Sequence, residues 1–178
     1  MNLIDRLREF QQRVRDLGLG LSTLALPAPK LLMLPSSEDE LSKEEILFSH
    51  MVTEPEIVDV SKDLFESGFY NQSVSEAFKA LNKYIQHKAG RNDVSDTSLM
   101  SLAFSANDPL LSWTERKSLS EKDEQKGYMY LFMGGFTGIR NPCTHEIDWI
   151  EDHKTALDAI LVAQHLLRKA KASISKAS

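Results

Sequence analysis

The stretch that most constrains this chain is residues 70–89. Tyr70, Val74, Ala77, Phe78, Leu81, Tyr84 and Ile85 recur three and four residues apart, with polar side chains between them. That spacing fits 3.6 residues per turn, so the segment is a helix burying one stripe. No window of useful length alternates with period two, and hairpin turn signals are absent. The fold class that follows is all-α.

Other helices join it. Pro55 suits a first turn, followed by Ile57, Val58, Ser61, Leu64 and Phe65, and Gly68 ends the run. A short helix is expected over 97–104. Ser120 is expected to cap a helix over 121–140, with acids in its first turn. Its body, Tyr128 to Ile139, is apolar on every side, which predicts the central and most buried helix. Gly134, Gly135 and Gly138 lower its helix propensity by about 1 kcal/mol each and point to close approach by a neighbouring helix. A last amphipathic helix is expected over 153–172. The four main helices, near 55–67, 70–89, 121–140 and 153–172, predict a four-helix bundle in residues 46–178. Residues 1–45 form an appendage. There an amphipathic helix over 2–17 (Leu3, Leu7, Phe10, Val14, Leu17) precedes an extended arm over 21–37 rich in leucine with Pro27, Pro29 and Pro35. The arm either wraps its own domain or packs on a second chain.

The chemistry-bearing stretch is Arg140-Asn141-Pro142-Cys143-Thr144-His145-Glu146. A guanidinium offers a permanently charged donor fork suited to phosphate, and an imidazole moves protons near neutral pH. On an unbroken helix, residues five apart point about 140° away from each other. Pro142 argues for a break, with Asn141 as cap and Pro142 opening a new helix. Arg140 and His145 then converge, and an imidazolium near the new helix's amino end is disfavoured. Cys143, the single cysteine, excludes an internal disulfide and reads as a small side chain beside a helix start rather than a nucleophile. His145, Asp148, Glu151, Asp152 and His153 match no zinc spacing, so no metal or cofactor is expected. Trp113 and Trp149 read as packing anchors, and Glu124 or Lys126 border the cleft only if the helices cross suitably.

Charge narrows the partners. A net charge of −5 argues against a broad nucleic-acid-coating surface but leaves room for one local phosphate site. Arg168, Lys169, Lys171 and Lys176 near the end read as a solvated helix terminus. No stretch approaches the roughly 20 apolar residues of a membrane span, and residues 1–8 lack a signal-peptide core. A cytoplasmic protein is the expectation.

With the helices placed, Arg140-Asn141-Pro142-x-x-His145 at the end of a glycine-rich helix resembles the signature of the HEPN superfamily. The closer likeness is to its branch of hypothetical-Ymh or abortive-infection-like proteins. It is carried by Leu64 to Leu81, Ser98 to Phe104, Gly127 to Phe136 and Gly138 to Glu146, and spans about residues 54–170. One departure is Cys143-Thr144, where a smaller residue often precedes the histidine.

The resemblance implies a metal-independent endoribonuclease, often a toxin or phage-defence effector acting as a homodimer on RNA, sometimes with a neutralising or sensor partner protein. Residue chemistry agrees, because RNA supplies its own 2′-hydroxyl as nucleophile. His145 is then the general acid or base and Arg140 the phosphate clamp. Asn141 orients the phosphate or the histidine, unless it only caps. One histidine serves both sides of a phosphorus poorly, and a two-fold dimer supplies a pair. The competing class is a non-catalytic helical dimerisation module that binds a partner protein or nucleotide.

Overall fold

Apolar spacing translates directly into helices along residues 43–176, which the computed structural model describes. They belong to a unit running Leu41–Ser178. The helix expected over 2–17 and the arm over 21–37 lie outside the described residues. In order the elements are α1 (Lys43–Met51), α2 (Pro55–Glu66), α3 (Tyr70–Ala89), α4 (Asp96–Ala103) and β1 (Leu111–Ser112). They continue with α5 (Leu119–Gly135), a π-helical turn (Phe136–Arg140), α6 (Asn141–His145), α7 (His153–Lys171) and β2 (Ile174–Ser175). The protein is mostly helical, as the periodicity predicts. β1 and β2 pair antiparallel, Leu111 opposite Ser175, and two residues are too few for an alternating pattern to show.

Helix ends follow local chemistry. Pro55 opens α2, and left-handed glycines follow α2 and α3, Gly68 at φ 79° and Gly90 at φ 64°. The cap of α5 is Ser118, not Ser120. Ser118 Oγ accepts from the Glu121 amide, and the Glu121 carboxylate accepts from the Ser118 amide at 2.8 Å. The Ser-x-x-Glu spacing satisfies two orphan donors at once, which Ser120 lacks a partner to do.

The central helix is α3. It packs most extensively on α2 and α7, and Val74, Ala77, Phe78, Leu81 and Ile85 are fully buried. The expectation that the apolar helix now called α5 would be most buried is corrected. α5 buries Gln125, Phe132 and Gly135, while Tyr130 and Leu131 remain 56% and 55% exposed. Its neighbours α4 and α7 cover one side only.

The glycines divide accordingly. A Cβ on Gly135 would lie 3.0 Å from Phe78 Cε1 and 3.3 Å from Leu166 Cδ1, whereas Gly134 and Gly138 face open space. Only Gly135 admits a neighbour. The carboxy-terminal cations are also paired rather than free. Lys171 bridges Glu54 and Glu56 at 2.7 Å each, and Arg168 meets Glu54 at 2.7 Å. Lys171, then Arg168, hold the Glu54 carboxyl below its usual range.

Buried polar groups tie segments together. Gln164 on α7 accepts from the Thr53 and Glu54 amides and donates to Met51 O, which fixes the α1–α2 corner. Trp113 is the packing anchor expected of it: its indole N–H donates to Lys169 O at 2.7 Å, and its ring stacks on Phe104. Among the described residues no helix is long and apolar enough to cross a membrane.

Gly135→Leu should overpack this junction and cost about 1–3 kcal/mol in urea denaturation. Gly134→Leu should cost less, because a Cβ there meets no atoms of the protomer and helix propensity rises. Equal losses from both would overturn the placement of α5.

Candidate functional site

Helical backbone runs without interruption from α5 through His145, which corrects the expected break at Pro142. Arg140 and Asn141 both have right-handed helical angles. Pro142 offers no N–H to the carbonyl four residues back. The preceding turn widens to compensate, and the Asn141 amide reaches back five residues to Phe136 O. Such π turns concentrate at functional sites. Asn141 makes no capping bond, and His145 closes α6 rather than opening it. The argument from an amino-terminal dipole therefore does not hold for His145.

The structure does not bring Arg140 and His145 together within one protomer. Arg140 turns toward the start of α4. Its Nη1 donates to Asp96 Oδ2 at 3.4 Å and to Asn141 Oδ1 at 3.2 Å, and the side chain is 17% exposed. Its Nε is buried without a hydrogen-bond partner among the described residues. Asn141 thus holds Arg140 and does not act as the expected cap.

Asp96 is a residue that sequence reasoning missed. It stands at φ +55°, a left-handed conformation that costs most side chains roughly 1–2 kcal/mol and that Asp and Asn tolerate best. Its backbone N–H donates to Asn82 Oδ1 on α3 at 2.7 Å, which holds the strained residue facing Arg140. The Asp-Thr-Ser sequence gave no warning, because nothing local marks the positive φ.

His145 instead borders α3. It lines a cavity of about 340 Å³ with Gln72, Ser75, Lys79 and Thr144. Thr144 Oγ1 donates to Arg140 O at 2.9 Å and lies 3.2 Å from Ser75 Oγ. Below them Asn71 staples the following loop: its amide donates to Glu146 O and Ile147 O, and its carbonyl accepts from the Ile150 amide at 2.8 Å. Nothing local in the sequence links Asn71 to a loop about 75 residues later.

The remaining candidates fall outside this cavity or lack reactivity. Cys143 is buried, and burial pushes its thiol up, away from the reactive thiolate. Asp152 caps α7, accepting from the Lys154 and Thr155 amides. Glu124 pairs with Lys169. Trp149 is 57% exposed and anchors nothing in the core, unlike Trp113.

Asp96 gives a stability test. Asp96→Ala keeps the left-handed backbone with an unsuited side chain, so it should cost about 1 kcal/mol more than Asp96→Asn. Urea denaturation reads the difference, and equal losses would show that the backbone there is unstrained.

Comparison with known proteins adds one match. No curated protein and no solved structure matches the chain. A family model described as a protein of unknown function, Hypoth_Ymh, matches residues 52–170, from the residue after α1 to the last turn of α7. The chain belongs to the Hypoth_Ymh family.

Proposed function

We propose that this chain is a metal-independent endoribonuclease of the HEPN type, a toxin or phage-defence effector that works as a homodimer in the cytoplasm. In this reading α2, α3, α5 and α7 are the four helices of the HEPN bundle. The observation that carries it is His145: an exposed imidazole with no partner among the described residues, on the rim of a polar cavity, five residues after an arginine held in place.

The chemistry needs three things. The RNA 2′-hydroxyl must lose a proton to attack the adjacent phosphorus, the leaving 5′-oxygen must gain one, and the crowded phosphorane needs positive charge. His145 carries the proton transfers. Arg140, oriented by Asp96 and Asn141, presents its guanidinium to the phosphate. The products are a 2′,3′-cyclic phosphate and a 5′-hydroxyl.

The arrangement within one protomer favours a dimer. Arg140 and His145 turn to different neighbours, so a phosphate meeting both is more readily served by groups from two chains. A surface for this exists on α5 and the π turn. Gly127, Tyr130, Leu131, Gly134 and Gly138 form a continuous exposed stripe, and its glycines meet no atoms of their own protomer. Bare glycines beside exposed Tyr130 and Leu131 allow a second helix to approach closely. The stripe runs toward His145, so a two-fold axis across it draws two such sites together.

Purified protein should cut RNA with EDTA present and leave 2′,3′-cyclic ends. His145→Ala should lower the rate by about 10²-fold or more while far-UV circular dichroism stays helical. Arg140→Ala should act likewise, and growth should slow on overproduction of the wild type only. Cleavage that survives His145→Ala, or that EDTA abolishes, sinks the mechanism. Inert protein that retains a partner protein through purification supports the scaffold reading.

The dimer has its own check. Leu131→Asp removes no core contact, so the protomer should fold normally but sediment as a monomer and cut RNA poorly. A wild type that is monomeric at micromolar concentration, with RNA added, rules out the composite site.

A further inference from the structure

The cavity beside His145 is more than the place where an imidazole meets solvent. Three of its side chains are uncommitted: the Gln72 carboxamide, the His145 imidazole and the Glu146 carboxylate make no hydrogen bond or ion pair to other described residues. Other polar side chains of the lining are engaged. Ser75 and Thr144 bond each other, Asn71 holds the loop, and Lys79 is paired with Glu76 at 2.6 Å.

Charge decides what such a cavity receives. Glu76 and Glu146 face it together with Lys79 and His145, so acids match or outnumber bases. Arg140, the one strongly held cation of the motif, is not among its lining residues. A phosphate is poorly served there. A neutral, planar group with adjacent donor and acceptor is well served, because a carboxamide offers both in one plane. Ile147, 87% exposed at the rim, adds an apolar surface for a ring face. A volume of about 340 Å³ lies within the range of small-ligand sites.

We infer that this cavity seats one unpaired base of the RNA next to the cleaved bond, with Gln72 reading its hydrogen-bonding edge. This rests on the ribonuclease reading for its place in catalysis, but not for binding itself. Single-stranded RNA is read in this way, by bases turned out of the stack and bonded on their edges. The arrangement divides the labour: Arg140 takes the phosphate, His145 the protons, and Gln72 the identity of a neighbouring base. Gln72 is exposed on α3, so its substitution leaves the core untouched.

Two measurements test this. An RNA pool randomised around a cut site should show a base preference at one position flanking the cleaved bond. Gln72→Ala should flatten that preference by about ten-fold, the effect of one lost hydrogen-bonding partner. Gln72→Glu, which only accepts, should move it toward bases that donate, such as cytosine or guanine. A preference unchanged in both variants overturns the inference. Separately, each of the four ribonucleosides should be titrated into isotope-labelled protein. At least one should shift the amide signals of Ser75, Thr144 and His145 in the wild type and shift them less in Gln72→Ala. If none binds at millimolar concentration, the inference fails whether or not RNA is cut. If one binds but no RNA is cut, the cavity assignment stands and the ribonuclease reading falls.

Discussion

Three helices of this protein meet over one missing side chain. At Gly135 the ring of Phe78 from α3 and the Leu166 side chain of α7 approach as closely as a glycine permits. The next residue, Phe136, meets Phe78 edge-on at 5.5 Å between ring centres. This contact fixes where α5 ends and the π turn begins. The turn starts in the core and finishes at the surface, so Arg140 leaves it with a defined direction. Interiors are packed closely enough that such a junction acts as a rigid pivot. The motif is rigid because its amino-terminal side is anchored in the core.

The π turn reconciles two demands that conflict in an ordinary helix. A proline in mid-run breaks the hydrogen-bond ladder, yet the motif needs continuous support up to His145. Widening the turn by one residue absorbs the missing donor and keeps the backbone helical. Arg140 and His145 then meet different neighbours, each backed by a residue of α3. Asn82 holds Asp96, and Asp96 faces Arg140; Asn71 holds the loop beyond His145. Two asparagines of one helix thus support the two halves of the motif.

Much of the fold was legible in the sequence. The stripe from Tyr70 to Ile85 marked α3, and Pro55 and Gly68 marked real boundaries. The motif's position at the end of a glycine-rich helix was equally readable. What could not be read was long-range. An apolar helix such as α5 looks the same from sequence whether one neighbour covers it or three. The three glycines carry identical letters, and only the approach of Phe78 and Leu166 sets Gly135 apart. A lone proline predicts a break, because the wider turn that rescues it has no signature of its own. Asp96, Asn82, Asn71 and Gln72 were invisible for the same reason: each acts on chain distant in sequence. The four-helix arrangement and the roles of Arg140 and His145 remain proposals that these contacts support.

The two tryptophans occupy opposite environments. Trp113 is stacked on Phe104, with the Lys169 ammonium 4.8 Å from its ring centre. Trp149 sits in water on the loop that Asn71 pins beside His145. An indole's emission follows its surroundings, so the chain contains two built-in fluorophores that report on different things. Light from the first follows the integrity of the α4–α5–α7 packing. Light from the second follows whatever arrives at the loop, with the fold around the first left as its internal standard.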